Sequence, residues 1–311
     1  MSKTALIFPG QGSQYVGMGA WLDDHAEARE VFDHAESSGF DARAICFHGP
    51  EDALKRTSAT QPALLSVSVA TLALLRAKGI GYDAVAGHSL GEHAALVAAG
   101  VTDFSSALAV VRARGALMDR SDSDRAGAMA AVLGLDAEPL TDLCAQSSDG
   151  GEVVSVANYN CPGQIVVTGD AAAVERLGVL ASEAGARRVV PLAVSGAFHS
   201  PLMASAERGM ADVLSDVPLR APDVGFYPNV TAEAESDPER IRERLVTQVT
   251  HPVRWEETVR NMCAAGVTTF VEVGAGRALS GMLRRIDRGA TALSTDTPEQ
   301  FEEAVDVLAR R

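Results

Sequence analysis

Aromatic side chains are scarce in this chain of 311 residues, at 5%, and lysine supplies only Lys3, Lys55 and Lys78 among 27 basic residues. Neither shortage removes the means to build a core. With 47% apolar and 22% charged residues the composition is that of a globular protein, which excludes collagenous, disulfide-stapled and wholly disordered classes. Cysteine is also rare. Cys46, Cys144, Cys161 and Cys263 form no Cys-x-x-Cys pair and no framework spacing, as expected of reduced thiols in a cytoplasmic protein. No stretch approaches the ~18 uninterrupted apolar residues of a membrane span. The early run Ala5-Leu-Ile-Phe8 is too short for a secretory signal. Positive charge is outweighed, 27 basic against 41 acidic residues, and a net charge of −14 suits neither general nucleic-acid binding nor an anionic membrane surface. A soluble protein is expected, monomeric by default because no heptad pattern appears.

What is present is an alternation of strand and helix patterns. Ala5–Phe8 reads as a buried strand that breaks into the loop Pro9-Gly-Gln-Gly12. Residues 20–36 and 62–78 carry helical patterning, the second opening on Pro62, which suits a first helical turn. Apolar nearly all round, that second helix belongs in the core. Ala84-Val-Ala86 leads through Gly87-His-Ser-Leu-Gly91 into small residues, a strand, a sharp turn and a helix. A further helix is expected at 105–119. From 126 the texture changes to strand 128–135, helix 137–147, strands 153–158 and 164–168, helix 171–185 and strand 187–194. That β-α-β-β-α-β order marks a ferredoxin-like unit. The chain then returns to helices, a strand at Thr269–Val273 and a second glycine turn, Gly274-Ala-Gly-Arg277. The acidic stretch 233–243 reads as a solvated loop and helix start. The expected architecture is α/β: an α/β-hydrolase-like large domain with a parallel sheet, residues 1–125 and 196–311, interrupted by a small ferredoxin-like domain, 126–195.

Gly87-His88-Ser89-Leu90-Gly91 has the form of a nucleophile elbow. The flanking glycines let a strained strand-to-helix turn expose the serine, and the helix N-terminus that follows can stabilise an oxyanion. A serine nucleophile needs a base. His25 and His34 sit on a polar helical face, and His88, beside the serine, should point away from it. His88 and His93 bracket Glu92 without the His-Glu-x-x-His spacing of a metal site, so no metal is expected. His199, at the return from the inserted unit, is placed at a domain junction where ligand sites often lie. Arg112 and Arg114 fall in the middle of the helix expected at 105–119, where an arginine can pair with a core carboxylate.

The chain resembles the malonyl-coenzyme A:acyl carrier protein transacylases of fatty acid and polyketide synthesis. The resemblance rests on Phe8-Pro-Gly-Gln-Gly-Ser-Gln14, Thr60-Gln-Pro-Ala63, Gly87-His-Ser-Leu-Gly-Glu92 and Arg114 within Val111-Arg-Ala-Arg-Gly115. It continues through Asn158-Tyr-Asn-Cys-Pro-Gly-Gln164, Gly196-Ala-Phe-His-Ser200, Gln248-Val-Thr-His-Pro-Val-Arg-Trp255 and Glu272-Val-Gly-Ala-Gly-Arg277. It spans nearly the whole chain, in family order and spacing. It implies Ser89 as nucleophile, His199 as base and then acid, and Gln248 beside the histidine, with no aspartate completing a triad. Backbone N–H groups of Gln11 and Leu90 would form the oxyanion hole. Arg114 would hold the malonyl carboxylate by two parallel hydrogen bonds. Gln61, Asn160 and His88 are carried over as substrate-binding positions. Phe198, before the histidine, goes with malonyl rather than methylmalonyl in related polyketide enzymes.

The resemblance implies no cofactor beyond the substrates, malonyl-coenzyme A and the phosphopantetheine of holo-acyl carrier protein. The carrier partner is acidic as a rule, so docking calls for a local arginine cluster: Arg187-Arg188, or Arg284-Arg285 with Arg288. Two other readings use the same residues. One is a thioester hydrolase, against which such enzymes usually place their acid between serine and histidine in chain order, and His199 lies unusually far from the C-terminus. The other is a catalytically silent carrier-binding module.

Overall fold

The computed structural model describes residues 2–121, 126–194 and 196–310. The chain runs through β1 (Lys3–Phe8), α1 (Ala26–Ser37), α2 (Glu51–Leu54), α3 (Thr57–Ala77), β2 (Ala84–Gly87), α4 (Gly91–Ala98) and α5 (Phe104–Ser121). There follow β3 (Gly127–Leu133), α6 (Ala137–Ser147), β4 (Val154–Cys161), β5 (Gln164–Asp170), α7 (Ala171–Glu183) and β6 (Arg188–Pro191). The remainder comprises α8 (Ala204–Ser215), β7 (Gly225–Tyr227), α9 (Pro238–Thr247), α10 (Trp255–Ala264), β8 (Val267–Glu272), α11 (Ala278–Ile286), β9 (Thr291–Ser294) and α12 (Pro298–Ala309).

β1 is the centre of a five-stranded parallel sheet in the order β7-β2-β1-β8-β9. Its sequence explains the place: Ala5, Leu6, Ile7 and Phe8 are all fully buried, and alternate residues serve opposite layers. Leu6 and Phe8 join the larger core formed with α1, α3, α4, α5 and α8, whereas Ala5 and Ile7 face the core under α10 and α11. The unit 127–191 forms a second, antiparallel sheet, β4-β5-β3-β6, whose Ala130, Val132, Val156 and Val167 pack with Leu140 of α6 and Leu177 of α7. The joints expected at 125/126 and 195/196 touch residues 122–125 and 195, which lie outside the described residues.

Three local expectations change. α3 begins at Thr57, not Pro62, because the Asp119 carboxylate of α5 accepts the Ser58 N–H (3.1 Å) and caps the extra turn from outside the helix. Pro62 then sits in the second turn, where its missing N–H removes one helical bond. The expected helix 20–36 is a short 3₁₀ turn, Ala20–Asp24, and α1, broken at the extended His25. β6 is only four residues long, and the chain beyond Pro191 leaves the sheet to line the cleft described below. α3 is long and apolar enough to cross a membrane by composition, yet most of it is buried inside the fold.

The sheet and the turn that carries Ser89 meet with no room between them. A Cβ on Gly91 would sit 2.1 Å from the Phe8 carbonyl oxygen, and one on Gly87 would sit 1.9 Å from the Gly91 carbonyl carbon. Gly91→Ala should therefore destabilise the protein by about 3 kcal/mol, measured by urea unfolding. Gly281→Ala, in the middle of α11 with open space around it, should instead stabilise by about 0.5–1 kcal/mol.

Candidate active site

Ser89 occupies the turn between β2 and α4 with φ +51°, a left-handed backbone that non-glycine residues rarely adopt. The strained turn lifts its Oγ into a cleft of about 360 Å³ between the two sheets. His199 also has a left-handed backbone, φ +60°, and its N–H is fixed on the Val249 carbonyl at 3.0 Å. The two side chains meet, Ser89 Oγ lying 2.8 Å from His199 Nε2.

The tautomer of His199 follows from its other nitrogen. Nδ1 faces two carbonyl oxygens, of Gln248 at 2.8 Å and His251 at 3.1 Å, which can only accept, so Nδ1 carries the proton. Nε2 is thereby left to accept from the serine hydroxyl. Main-chain carbonyls do here what a carboxylate does in a Ser-His-Asp triad. Gln248 therefore holds the histidine through its backbone. Its side chain works elsewhere: Oε1 accepts from Arg114 Nη2 (2.9 Å), while Nε2 donates to the Ser89 carbonyl (3.0 Å) and to Glu92 Oε2 (2.9 Å).

Arg114 is 1% exposed. Its Nη2 donates to Ser89 Oγ at 3.2 Å as well as to Gln248, its Nε has no partner, and no carboxylate pairs with it among the described residues. The alternative reading of Arg114, a core carboxylate partner, is therefore not met among the described residues; Glu92 is reached only through the Gln248 amide. Burial lowers the Arg114 guanidinium to about 10, and the charge of Glu92 works against that. It remains a cation at neutral pH. Burial raises Glu92 to about 7, opposed by the hydrogen bonds from Gln248 and Asn229 and by Arg114. Burial, followed by the Arg114 charge, pushes His199 down to about 3, which keeps the ring neutral and free to accept a proton.

The other expected site residues separate into two groups. Gln11, Leu90, Phe198, Gln61 and His88 line the cleft with Ser89, Arg114 and His199. The N–H groups of Gln11 and Leu90 have no acceptor among the described residues. Gln61 lies inside α3, neither a cap nor a surface residue, and gives Nε2 to Met118 Sδ (3.3 Å) while its Oε1 is unpartnered. Asn160 does not line the cleft. Its Oδ1 pairs with His88 Nε2 at 2.9 Å, and the His88 ring stands edge-on to Trp255, so Asn160 acts on the cleft only through His88. Among the groups missed from sequence are Asn229 and Glu92, buried beneath the turn, Met129 with Leu192 on the small-domain wall, and the cleft-lining Lys55, Met118 and Asn158. Glu92 stood inside the recognised motif; Asn229, 140 residues from Ser89, gave no local signal. Among the described residues no group of three or more His, Cys, Asp or Glu could hold a metal ion.

Residues 5–291 match the acyl transferase domain family. The malonyl CoA-acyl carrier protein transacylase of Bacillus subtilis is 43% identical over 99% of this chain and 98% of its own length, and that of Escherichia coli is 40% identical over 99% and 100%. Among solved structures, the acyl-carrier-protein S-malonyltransferase of Bartonella henselae superposes with TM-score 0.95 at 41% identity, covering 99% of this chain and all of its own. A malonyl-transacylase solved in complex with a type II polyketide acyl carrier protein gives TM-score 0.95 at 39% identity, over 98% of this chain and all of that one.

His199 titrates below its unfolded value, so it contributes stability above about pH 6.5 that is lost as the pH falls toward 3; His93, buried beside Arg114 and also pushed down to about 3, does the same. In an imidazole NMR titration both rings should stay neutral at pH 5. Arg114→Gln, which removes the neighbouring positive charge, should raise the His199 midpoint toward its ordinary value.

Proposed function

The chain belongs to the acyl transferase domain family, and we propose that it transfers malonyl from malonyl-coenzyme A to the phosphopantetheine thiol of an acyl carrier protein through an ester on Ser89. The observation that carries this reading is Arg114: a buried guanidinium whose Nε has no partner among the described residues, 3.2 Å from the nucleophile, in an otherwise mainly apolar cleft. A carboxylate one carbon removed from a thioester satisfies it while its carbonyl lies against Ser89.

Each step uses a group already in place. Ser89 Oγ attacks the thioester carbonyl and its proton passes to His199 Nε2. The oxyanion is held by the Gln11 and Leu90 N–H groups. As the C–S bond breaks, the proton on Nε2 goes to the departing coenzyme A thiol. The carrier's thiol then attacks the malonyl ester, His199 takes its proton, and collapse returns a proton to Ser89. Binding of the malonyl carboxylate neutralises Arg114 and removes the largest influence after burial that holds His199 low, so the acidic substrate makes its own base stronger. Acetyl-coenzyme A leaves the guanidinium unpaired and offers no such gain. No step draws on a metal or redox group.

For the carrier, one member of each arginine group, Arg187 and Arg285, supports a contact at a shared face. A Cβ on Gly134 would lie 3.1 Å from Arg187 Cβ, and one on Gly163 would lie 3.6 Å from Arg285 Nη2, while the Gly134 N–H bonds the Gly163 carbonyl at 3.0 Å. Arg187 is exposed there and Arg285 engages Gln164 and Pro162, while their chain neighbours Arg188, Arg284 and Arg288 are exposed as well. This face, where the two sheets' domains abut, is our proposed carrier contact.

Intact-protein mass spectrometry after brief mixing with malonyl-coenzyme A tests the scheme. A malonyl-sized adduct is expected on the wild type and not on Ser89→Ala, discharged by holo-carrier protein. Free malonate without an adduct would establish hydrolysis instead. Arg114→Ala should lower kcat/KM for malonyl-coenzyme A by about 100-fold or more and leave acetyl transfer little changed.

A further inference from the structure

The parallel pairing of β2 with β7 ends at Ala86 opposite Tyr227. Beyond it the chain turns through Gly87, His88 and the left-handed Ser89, so its peptide groups no longer meet β7 backbone. Asn229, two residues past Tyr227, fills that gap with its side chain. Its Nδ2 donates to the Gly87 carbonyl at 2.6 Å, and its Oδ1 accepts the Ser89 N–H at 2.7 Å. The carboxamide thus offers one donor and one acceptor, as the next peptide group of a strand would. Asn229 is itself fixed: its N–H donates to Glu92 Oε2 (2.9 Å), its carbonyl accepts from the Arg254 N–H (3.0 Å), and it is 1% exposed.

We infer that Asn229 is a positioning residue for the acyl transfer: its carboxamide holds the peptide groups on either side of His88 so that Ser89 Oγ points at His199 and the Leu90 N–H stays free for the oxyanion. The chemistry of the side chain is selective. A left-handed residue costs roughly 1–2 kcal/mol, and the two hydrogen bonds offset it while satisfying peptide groups that are buried under the turn. Aspartate in its ionised form accepts but cannot donate, alanine does neither, and glutamine would overreach by one methylene. Gln248 completes the hold from the other side, because the Ser89 carbonyl it engages belongs to the same peptide unit as the Leu90 N–H.

This inference rests on the proposed acyl transfer only for its substrate readout, since the reactivity of Ser89 can be measured without an acyl group. With a fluorophosphonate probe, Ser89 Oγ displaces fluoride from phosphorus and His199 takes the proton. Asn229→Ala should be labelled about 10- to 100-fold more slowly than wild type, with kcat for malonyl transfer lowered by a similar factor and KM within about threefold. Asn229→Asp supplies the second arm. Its carboxyl, when protonated, again has one donor and one acceptor, so its labelling rate relative to wild type should climb as the pH is lowered from 8 to 5. The charged and titratable groups around that position, Glu92, Arg114, His88, His199 and Arg254, are present in both proteins, so a climbing ratio reports the added carboxyl together with its coupling to them. Labelling of Asn229→Ala within twofold of wild type overturns the inference. A flat Asn229→Asp ratio does too, as does loss of cooperative unfolding in both variants. A wild type that labels at Ser89 but transfers no malonyl sinks the proposed function alone.

Discussion

Arg114 is buried with no carboxylate against it among the described residues, and the arrangement around Ser89 follows from keeping that charge in place. A lone guanidinium in a low-dielectric interior is costly, and a direct ion pair would quench it and close the site. The fold takes a middle course. The Gln248 amide stands between Arg114 and Glu92, accepting from the cation on one side and donating to the carboxylate on the other. Glu92 in turn accepts the Asn229 N–H, whose side chain grips the strained turn. The charge, the turn and the histidine carbonyl are thus parts of one buried polar network, and such networks are stable only when nearly every member is satisfied. The unsatisfied Arg114 Nε and Gln61 Oε1 both belong to cleft-lining residues.

The base is tuned in the same economy. Two carbonyl oxygens fix the His199 tautomer without adding the negative charge that an aspartate would, so their hydrogen bonds oppose the depressing influence of burial and of Arg114 but do not overcome it. A thioester has a good leaving group and demands less of its base than an amide does. The cleft can therefore keep the buried charge of Arg114 for recognising the acyl group.

What the sequence discloses here is whatever short-range sterics encode. The glycines at 87 and 91 announce the turn because no side chain fits between it and β1, and the four apolar residues of β1 announce a strand covered on both faces. The order of the inserted unit was readable from alternating patterns for the same reason. Long-range partners leave no such trace. The cap that extends α3 back to Thr57 comes from Asp119, and the carboxamide under Ser89 from a residue beyond β7. Gln248 was visible as a motif, yet its division of labour between a main-chain carbonyl and a side-chain amide depends on coordinates, not on residue type. Asn160 illustrates the converse: a polar residue at a promising position whose hydrogen bond faces His88 and not the cleft.

β4 does more than close one edge of the small sheet. Its backbone crosses to the large domain, with the Val253 N–H on the Ala157 carbonyl at 2.8 Å and the Tyr159 N–H on the Val253 carbonyl at 2.9 Å. Val253 lies two residues beyond His251 and five beyond Gln248, the two carbonyls that hold His199. The wall of the cleft and the seat of its base are consequently a single mechanical linkage, so a swing of the small domain that widens the entrance also pulls on the imidazole's anchor.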